Sequence, residues 1–521
     1  MKKQYFYNNI NNFNNLTIKI IISEMLSYKS LLLTLFFITF SLFTKSQNPK
    51  REMRGVWVAT VKNLDWPSAP GLSTPLQEQE IDKILTDIKS LGFNAVFLQV
   101  RPSSDAFYNS TMEPWSKYLT GKQGDAPKPY YDPLKYWIEA AKELGIEVHA
   151  WINPFRLTTN LEEELTPYHP LLKHPEWIIE YRDGLLLNPG IPEVTEYINR
   201  VIAEITINYD IAGIHMDDYF YPYPDKNIEF PDSVSYSQYC DTSIFKTTAQ
   251  WRRDNVNRTV ESIYKTIKRV KPWVSFGISP FGVWRNVADD PNGSNTTAGI
   301  TNYDSLNADI LIWLQNGWVD YIAPQIYWYM EHPVASFREL SVWWNKNSFN
   351  TPVYPGLSIY KIGVGKPEWD NPSETPNQIK LGRELNSING NLFFRYAFLK
   401  RDLLGLQDSL KQKYYSSPAL TPTINGNVSI PPLSVTRVKA CYKRLKWKVR
   451  KEDMENIKFF VVYSYSKDEE FDANDTEQIF SITGNLTIPL LVRNRNRQKR
   501  YFRVSAVDKY GNEGEVSKEV D

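Results

Sequence analysis

Eight short apolar segments set between longer helical patterns, then an abrupt change to short alternating segments, predict an α/β chain. The expected architecture is a (β/α)8 TIM barrel over residues 50–415, followed by a small β-sandwich over 420–521. Three observations carry this. Strand and helix patterns alternate from Met53 to about Lys413, as in a parallel sheet whose crossovers are helices. There are eight such units. After "YYSSPALTPTINGN" the helical period disappears and turn signals recur at short intervals.

"MRGVWVAT" (53–60), "NAVFLQV" (94–100), "EVHAWIN" (147–153) and "GIHMDD" (213–218) form the first half. "SFGIS" (275–279), "DYIAPQIYW" (320–328), "VYPGLSI" (353–359) and "NLFFRYA" (391–397) form the second. Between them, "QEQEIDKILTDIKSLG" and "DPLKYWIEAAKELG" are helical in period and end on Gly, a stop signal. "EVTEYINRVIAEITINY" and "RRDNVNRTVESIYKTIKRV" follow the same pattern. Segments 101–130, 153–190, 219–250 and 280–305 are long strand-to-helix loops, and loops on that side build the active face of this fold. Beyond residue 420, "RLKWKVR", "IKFFVVYSYS", "EQIFSITG", "LTIPLLVR" and "YFRVSAVDKYGNEGEVS" read as strands of a sandwich. "YFRVSAVDKYGNEG" resembles the last hairpin of a fibronectin type III domain. The Pro/Ser/Thr/Asn-rich stretch 416–427 has linker composition, so the sandwich is expected to be dispensable for barrel folding.

Residues 1–46 read as leader and signal peptide. Lys29 precedes an apolar run of 13 residues from Leu31 to Phe43, with Thr44 and Ser46 at cleavage-like positions. Residues 1–24 are Asn-rich and fit no signal pattern, which makes Met25 a candidate start. The run is short for a membrane span; the competing reading is an uncleaved anchor. Export to the periplasm or cell envelope is therefore expected, with no transmembrane span after signal removal and a mature start near Gln47. Net charge is +1 and the basic residues are scattered, which argues against a nucleic-acid partner. Cys240 and Cys441 lie far apart and offer neither a disulfide framework nor a Cys-based metal site. Aromatics make up 14% of the chain, with 16 Trp, which fits either a Trp-rich core or a groove lined for sugar rings.

Side chains alternate faces along a strand. Phe97, Gln99 and Arg101 share one face of strand two; His149, Trp151 and Asn153 one face of strand three. On strand four the polar set is His215 and Asp217, and on strand six Ala323, Gln325 and Tyr327 share a face. The opposite sets (Val96, Leu98, Val100; Val148, Ala150, Ile152; Ile214, Met216) are apolar and suit the helix-facing layer. The inward set thus turns polar toward the C-terminal mouth, where Asp217 and Asp218 stand side by side. Two carboxylates are the minimum for hydrolysis of a glycosidic bond: one protonates the leaving oxygen, the other attacks or activates water. Adjacent strand residues point apart, so the partner of Asp217 is Asp218 or a carboxylate from another loop, with Asp105, Asp65 and Glu331 as candidates. The competing structural reading pairs Asp217 with Arg101 and makes Asp218 a loop cap. Five His without zincin spacing give no metal site; His149 and His215 are expected to hydrogen-bond inside the barrel. No phosphate loop, nucleophile elbow or dinucleotide fingerprint occurs, and no cofactor is implied.

The segments "MRGVWVATVKNLDWPS", "LGFNAVFLQVRPSSDAFYNSTMEPWSKYLTG", "YDPLKYWIEAAKELGIEVHAWINPFR", "GIHMDDYFYP", "WRRDNVN", "VSFGISPFGVWRN" and "GWVDYIAPQIYW" together resemble glycosyl-hydrolase-like family 10, which includes the divisome-localised peptidoglycan glycosyl hydrolase. The resemblance runs from residue 52 to about 400 with the motifs in order. It implies a barrel glycosidase of the bacterial envelope, and in the best-understood member cleavage of peptidoglycan glycan strands stripped of stem peptides. The motif positions it carries over are Arg101, Asp105, Asn153, Asp217, Asp218, Gln325 and Tyr327. It does not assign acid and nucleophile, and the C-terminal sandwich is an accessory that could redirect specificity.

The resulting expectation is a secreted glycoside hydrolase acting on a polysaccharide. Asp217 is expected as nucleophile or charge stabiliser, with Asp218 or Asp105 as acid/base. Arg101 and Asn153 would orient Asp217 or sugar hydroxyls, and Trp66, Trp115 and Trp284 would stack on sugar rings. Trp57, His215, Tyr219, Gln325, Tyr327 and Arg285 complete the expected substrate-binding set. The alternatives are a non-catalytic glycan-binding barrel, against which the polar mouth argues, and a metal-dependent polysaccharide deacetylase, against which the His count argues.

Overall fold

Eight parallel strands curl around a shared interior: β1 (Met53–Val58), β2 (Ala95–Arg101), β3 (Glu147–Ile152), β4 (Gly213–Met216), β5 (Ser275–Ile278), β6 (Tyr321–Ile322), β7 (Gly356–Leu357) and β8 (Gly390–Phe393). They pair in the order β6-β5-β4-β3-β2-β1-β8-β7. The two edges meet where Tyr354 N–H donates to Ile322 O and Gly356 N–H to Pro324 O, both at 2.8 Å. The chain therefore folds as an α/β barrel. These positions come from a computed structural model that describes residues 48–424, 434–441, 443–490 and 500–521. The leader and signal peptide expected over 1–46 lie outside them.

The crossover helices follow from their apolar stripes. Helix α1 (Thr74–Ser90) buries Ile81, Ile84, Leu85 and Ile88, and α2 (Pro133–Glu143) buries Leu134, Trp137, Ile138 and Ala141. Each is followed two residues later by a left-handed glycine, Gly92 (φ 81°) and Gly145 (φ 67°), which lets the chain turn into the next strand. Helices α3 (Pro192–Asn208), α4 (Thr248–Val270), α5 (Ile310–Gln315), α6 (Phe337–Lys346) and α7 (Glu374–Arg383) complete the outer ring.

The alternation expected of the strands holds. Val96, Leu98, Val148, Ala150, Ile214 and Met216 sit in the core between sheet and helices, whereas Trp57, Phe97, Trp151, Tyr321, Tyr354 and Leu392 fill the barrel interior. Strand two is the exception at its end. Gln99 pairs with Trp151 but Arg101 pairs with Ile152, a bulge at Val100 that re-aims Arg101.

The C-terminal segment forms two antiparallel sheets. One contains β9 (Thr436–Cys441), β10 (Arg444–Lys448) and β13 (Thr487–Pro489); the other contains β11 (Ile457–Ser466), β12 (Ile479–Thr483) and β14 (Arg500–Asp508). Their facing side chains, among them Leu445, Trp447, Phe460, Val462 and Val504, make a separate small core.

Residues 417–421 are not a free tether despite their composition. Leu420 exchanges backbone bonds with Lys50 and Glu52 at 2.9 Å, Ala419 O accepts from Asn94, and Ser417 O from Arg54. The second sheet docks on the end of the barrel where strands begin. Gly484 N–H donates to Lys142 O at 2.8 Å, and Lys458 pairs with Glu147 at 2.9 Å. A Cβ at Gly145 would stand 2.3 Å from Ile482 O, so the close approach needs glycine there. This face is opposite the C-terminal mouth, so the docked sheet does not reach the strand-end loops through these contacts.

Candidate active site at the strand ends

Strand β4 stops at Met216, and Asp217 already belongs to the following loop. Strict alternation ends with the strand, which frees Asp217 and Asp218 to serve one site. Both are almost fully buried. The Asp217 carboxylate accepts from Trp151 Nε1 at 3.1 Å and from Asn153 Nδ2 at 3.3 Å. Asn153 is itself held, its Oδ1 accepting the Arg156 N–H at 3.0 Å. Asp218 accepts from the Tyr223 hydroxyl and from the Gln325 side chain.

Desolvation dominates the electrostatics. Burial pushes the Asp217 carboxyl up to about 6; Arg156 opposes this, Asp218 adds to it, and the Trp151 and Asn153 bonds again oppose it. Burial also raises Asp218, against the Tyr223 and Gln325 hydrogen bonds that favour its charged form. The Arg156 guanidinium lies 4.7 Å from the Tyr219 ring centre. Tyr327 feels both carboxylates and packs against Tyr360 and Phe394.

Six of the expected residues thus converge: Asp217, Asp218, Asn153, Tyr219, Gln325 and Tyr327. Arg156, Tyr223 and the role of Trp151 were not among the expected residues. Arg156 lies three residues beyond Asn153 in "NPFR", and Tyr223 lies in the aromatic loop "DDYFYPYP".

Other expectations are corrected. Arg101 does not face Asp217. The bulge turns it to Glu113, which it grips through two bonds of 2.8 and 2.6 Å, and to the carbonyls of Asn153 and Pro154. It fixes the backbone that carries Asn153, so its part is positional, and the Arg101–Asp217 ion pair does not form. Asp105 is fully buried inside the loop after β2. Burial raises its carboxyl to about 7, opposed by the Ser116 side chain and the Ser103 N–H, which donates to its Oδ1 at 3.3 Å, and reinforced by the charges of Glu113 and Glu163. It has no open face toward a sugar. Asp65 clamps Arg395 at 2.8 Å and the Ala397 N–H at 2.7 Å, and Glu331 pairs with Arg338 on the surface.

The tryptophans divide in the same way. Trp66 is fully buried, edge-on to Trp137, and its indole N–H donates to Gln77 O at 3.3 Å. Trp284 is buried, stacked on Trp343 with centroids 6.0 Å apart, and bonded to Asp309. Neither offers a face to a groove. Trp115 is half-buried against the core and edge-on to Tyr130. Arg285 is held by Asp290 and Asp304 at 3.0 and 2.9 Å.

Trp57 and His215 are interior residues, not sugar contacts. Trp57 Nε1 donates to His215 Nε2 at 3.1 Å, so the His215 proton resides on Nδ1, where it meets the Tyr321 hydroxyl at 3.1 Å. Tyr321 then donates to His149 Nδ1 at 3.2 Å, and His149 Nε2–H points to Glu147 at 3.4 Å. Burial lowers the pKa of both histidines, which fits this chain of neutral rings. The two histidines are joined through Tyr321.

With this geometry in place, similarity to known proteins decides the family. The profile of glycosyl hydrolase-like 10 matches residues 52–371. The chain belongs to this family. It is 47% identical over 398 residues to glycosyl hydrolase YngK of Bacillus subtilis, covering 75% of this chain and 77% of that one. It is 37% identical over 381 residues to glycosyl hydrolase DigH of Escherichia coli, covering 68% and 85%. Among solved structures, the glycoside hydrolase domain of PgaB (BpsB) from Bordetella bronchiseptica aligns over 69% of this chain and 99% of that domain, at 13% identity and a TM-score of 0.45. The family membership makes the chain a glycoside hydrolase.

Proposed function

We propose that this glycoside hydrolase is exported and cleaves peptidoglycan glycan strands, with Asp217 and Asp218 as its carboxylate pair. The observation that carries the reading is the pair itself: two desolvated carboxylates at the C-terminal end of β4, each held by two neutral side-chain donors. A carboxyl raised to about 6 holds its proton in mildly acidic solution, which suits Asp217 to protonate the leaving oxygen there. Asp218 accepts from Tyr223 and Gln325, bonds that favour its charged form, and is placed to oppose the positive charge that develops on the sugar. This reverses the roles expected from strand position alone.

The substrate class rests on the family resemblance and on the export signal read in residues 1–46. The C-terminal sheets are proposed to be a fibronectin-type-III-like accessory spanning 420–521, after a leader over 1–46 and a barrel domain over 50–415. Digestion of purified glycan strands, followed by mass spectrometry, tests the reading. Shortened glycans with new reducing ends support it. Loss of acetyl groups without chain cleavage would make the protein a deacetylase, and binding without change a lectin-like barrel.

A further inference from the structure

A cleft of about 390 Å³ borders the aspartate pair and shares Arg156 and Tyr219 with it. Three of its lining residues are cationic: Lys62 from the loop after β1, Arg156 from the loop after β3, and Arg182 from the tip of the hairpin Ile178–Tyr181/Gly184–Leu187. Asp183 is the one carboxylate in the lining. We propose that this cleft is a subsite for a carboxylate-bearing sugar, read by Lys62, Arg156 and Arg182. The proposal rests on the hydrolase reading above and adds the charge of the unit bound beside the cleaved bond.

Two features separate this cluster from scattered surface charge. The first is backbone conformation. Lys62 and Arg182 are both non-glycine residues in the left-handed region, at φ 53° and 54°. Such residues are strained and persist where surrounding structure enforces them. For Lys62 the enforcement is visible. The buried Gln99 side chain accepts the N–H groups of Thr60 and Val61 at 3.1 and 2.9 Å, and Asn63 Nδ2 donates to Pro67 O and Tyr118 O at 3.0 and 2.7 Å. The turn is clamped on both sides, and the exposed Lys62 side chain projects from it.

The second feature is how the charges are used. Lys62 and Arg156 form no ion pair within 4 Å among the described residues; Arg156 lies over Tyr219 and acts on Asp217 through space. Arg182 has only a 3.7 Å contact with Asp225, and both side chains are partly exposed. A planar guanidinium matches a carboxylate through two parallel bonds. Tyr219 and Tyr181 line the same cleft and add aromatic surface for a pyranose ring. Cationic groups beside ring faces suit an acidic sugar better than a free anion.

The experiment compares peptidoglycan glycan strands carrying free carboxylates with the same strands amidated to neutrality. Turnover of both is measured with the full chain and with Lys62→Gln and Arg182→Gln, neither of which belongs to the aspartate pair. Calorimetry measures binding of the matching acidic and amidated disaccharides. The expected result is a preference for the acid of about tenfold or more, lost by about tenfold in each variant, as for a hydrogen bond to a charged group. Turnover of the amidated strand falls less in the variants than turnover of the acid. Equal turnover and equal binding of acid and amide by the parent protein would overturn the subsite and leave the hydrolase standing. Preferential binding of the acid with no cleavage of either strand would overturn the hydrolase reading and leave the subsite standing. A preference for the acid that survives both substitutions would remove Lys62 and Arg182 from the assignment.

Discussion

Asp217→Asn should inactivate the enzyme and stabilise it, and the two effects have one cause. In the folded protein burial moves the Asp217 carboxyl from the ordinary 3.8 to about 6. Ionising it at neutral pH therefore costs about 3 kcal/mol more in the folded chain than in the unfolded one. A folded pKa raised above the unfolded value destabilises progressively from about pH 4, fully above about pH 6, and has no effect well below pH 4, where the group is protonated in both states. Asparagine removes that charge. It keeps the acceptor for Trp151 Nε1 but sets its own amide against the Asn153 amide, a loss of about 1 kcal/mol. The net gain is about 1–2 kcal/mol at pH 7.5, shrinking toward zero or below at pH 4.5. Urea denaturation of parent and variant at the two pH values reads it directly. Turnover should fall by about 10²–10⁴ as acid/base catalysis is lost. A variant that cleaves glycan near the parent rate would remove Asp217 from the chemistry. A stability difference that is the same at both pH values would show that the carboxyl is not desolvated.

Three further outcomes follow from particular contacts. Lys458→Met strands the buried Glu147 carboxylate and should cost about 3–5 kcal/mol at neutral pH; the penalty should shrink as the pH falls toward 4 and be largely recovered in Glu147→Gln/Lys458→Met, as denaturation curves of the full chain would show. Trp66→Ala empties a fully buried site and should cost about 3–5 kcal/mol, whereas Tyr219→Ala, at a residue 42% exposed, should leave the melting temperature nearly unchanged and weaken glycan binding measured by calorimetry. N-terminal sequencing of the exported protein should find a start near Gln47; a full-length cytoplasmic product would refute the signal-peptide reading.

The barrel was legible because its strands announce themselves twice. Val96, Leu98, Val148 and Ala150 repeat at the strand period, and the helices between them close on Gly92 and Gly145 at the turns that need left-handed backbone. The aspartate pair was legible because polar residues at strand ends have no reason to be there in a purely structural barrel. Failures arose where one residue displaced a period or where burial decided a role. The bulge at Val100 sent Arg101 to Glu113, and nothing in "LQVRPSS" marks a bulge. Trp66 and Trp284 sit in loops that sequence places at the mouth, yet their rings fold back into the core. Arg156 escaped notice because its value lies in a through-space relation to Asp217, formed only when the loop after β3 returns over the end of β4.

The interior holds two polar systems with opposite electrostatics, and their separation explains the placement of the C-terminal sheet. At the floor, burial alone would raise the Glu147 carboxyl, but Lys458 and His149 more than reverse this and hold it well below the usual carboxylate range. A depressed folded pKa contributes stability above the ordinary carboxylate range, lost as the pH falls through the folded value. At the mouth, Asp217 is raised and destabilises at neutral pH. Between them, Trp57, His215 and Tyr321 form a neutral aromatic layer that carries hydrogen bonds without carrying charge. A charged floor without Lys458 would sit beneath a charged mouth in one low-dielectric barrel. The docked sheet supplies Lys458 and neutralises the lower charge, so the carboxyls raised by burial in this pair lie at the opposite, C-terminal end of the strands.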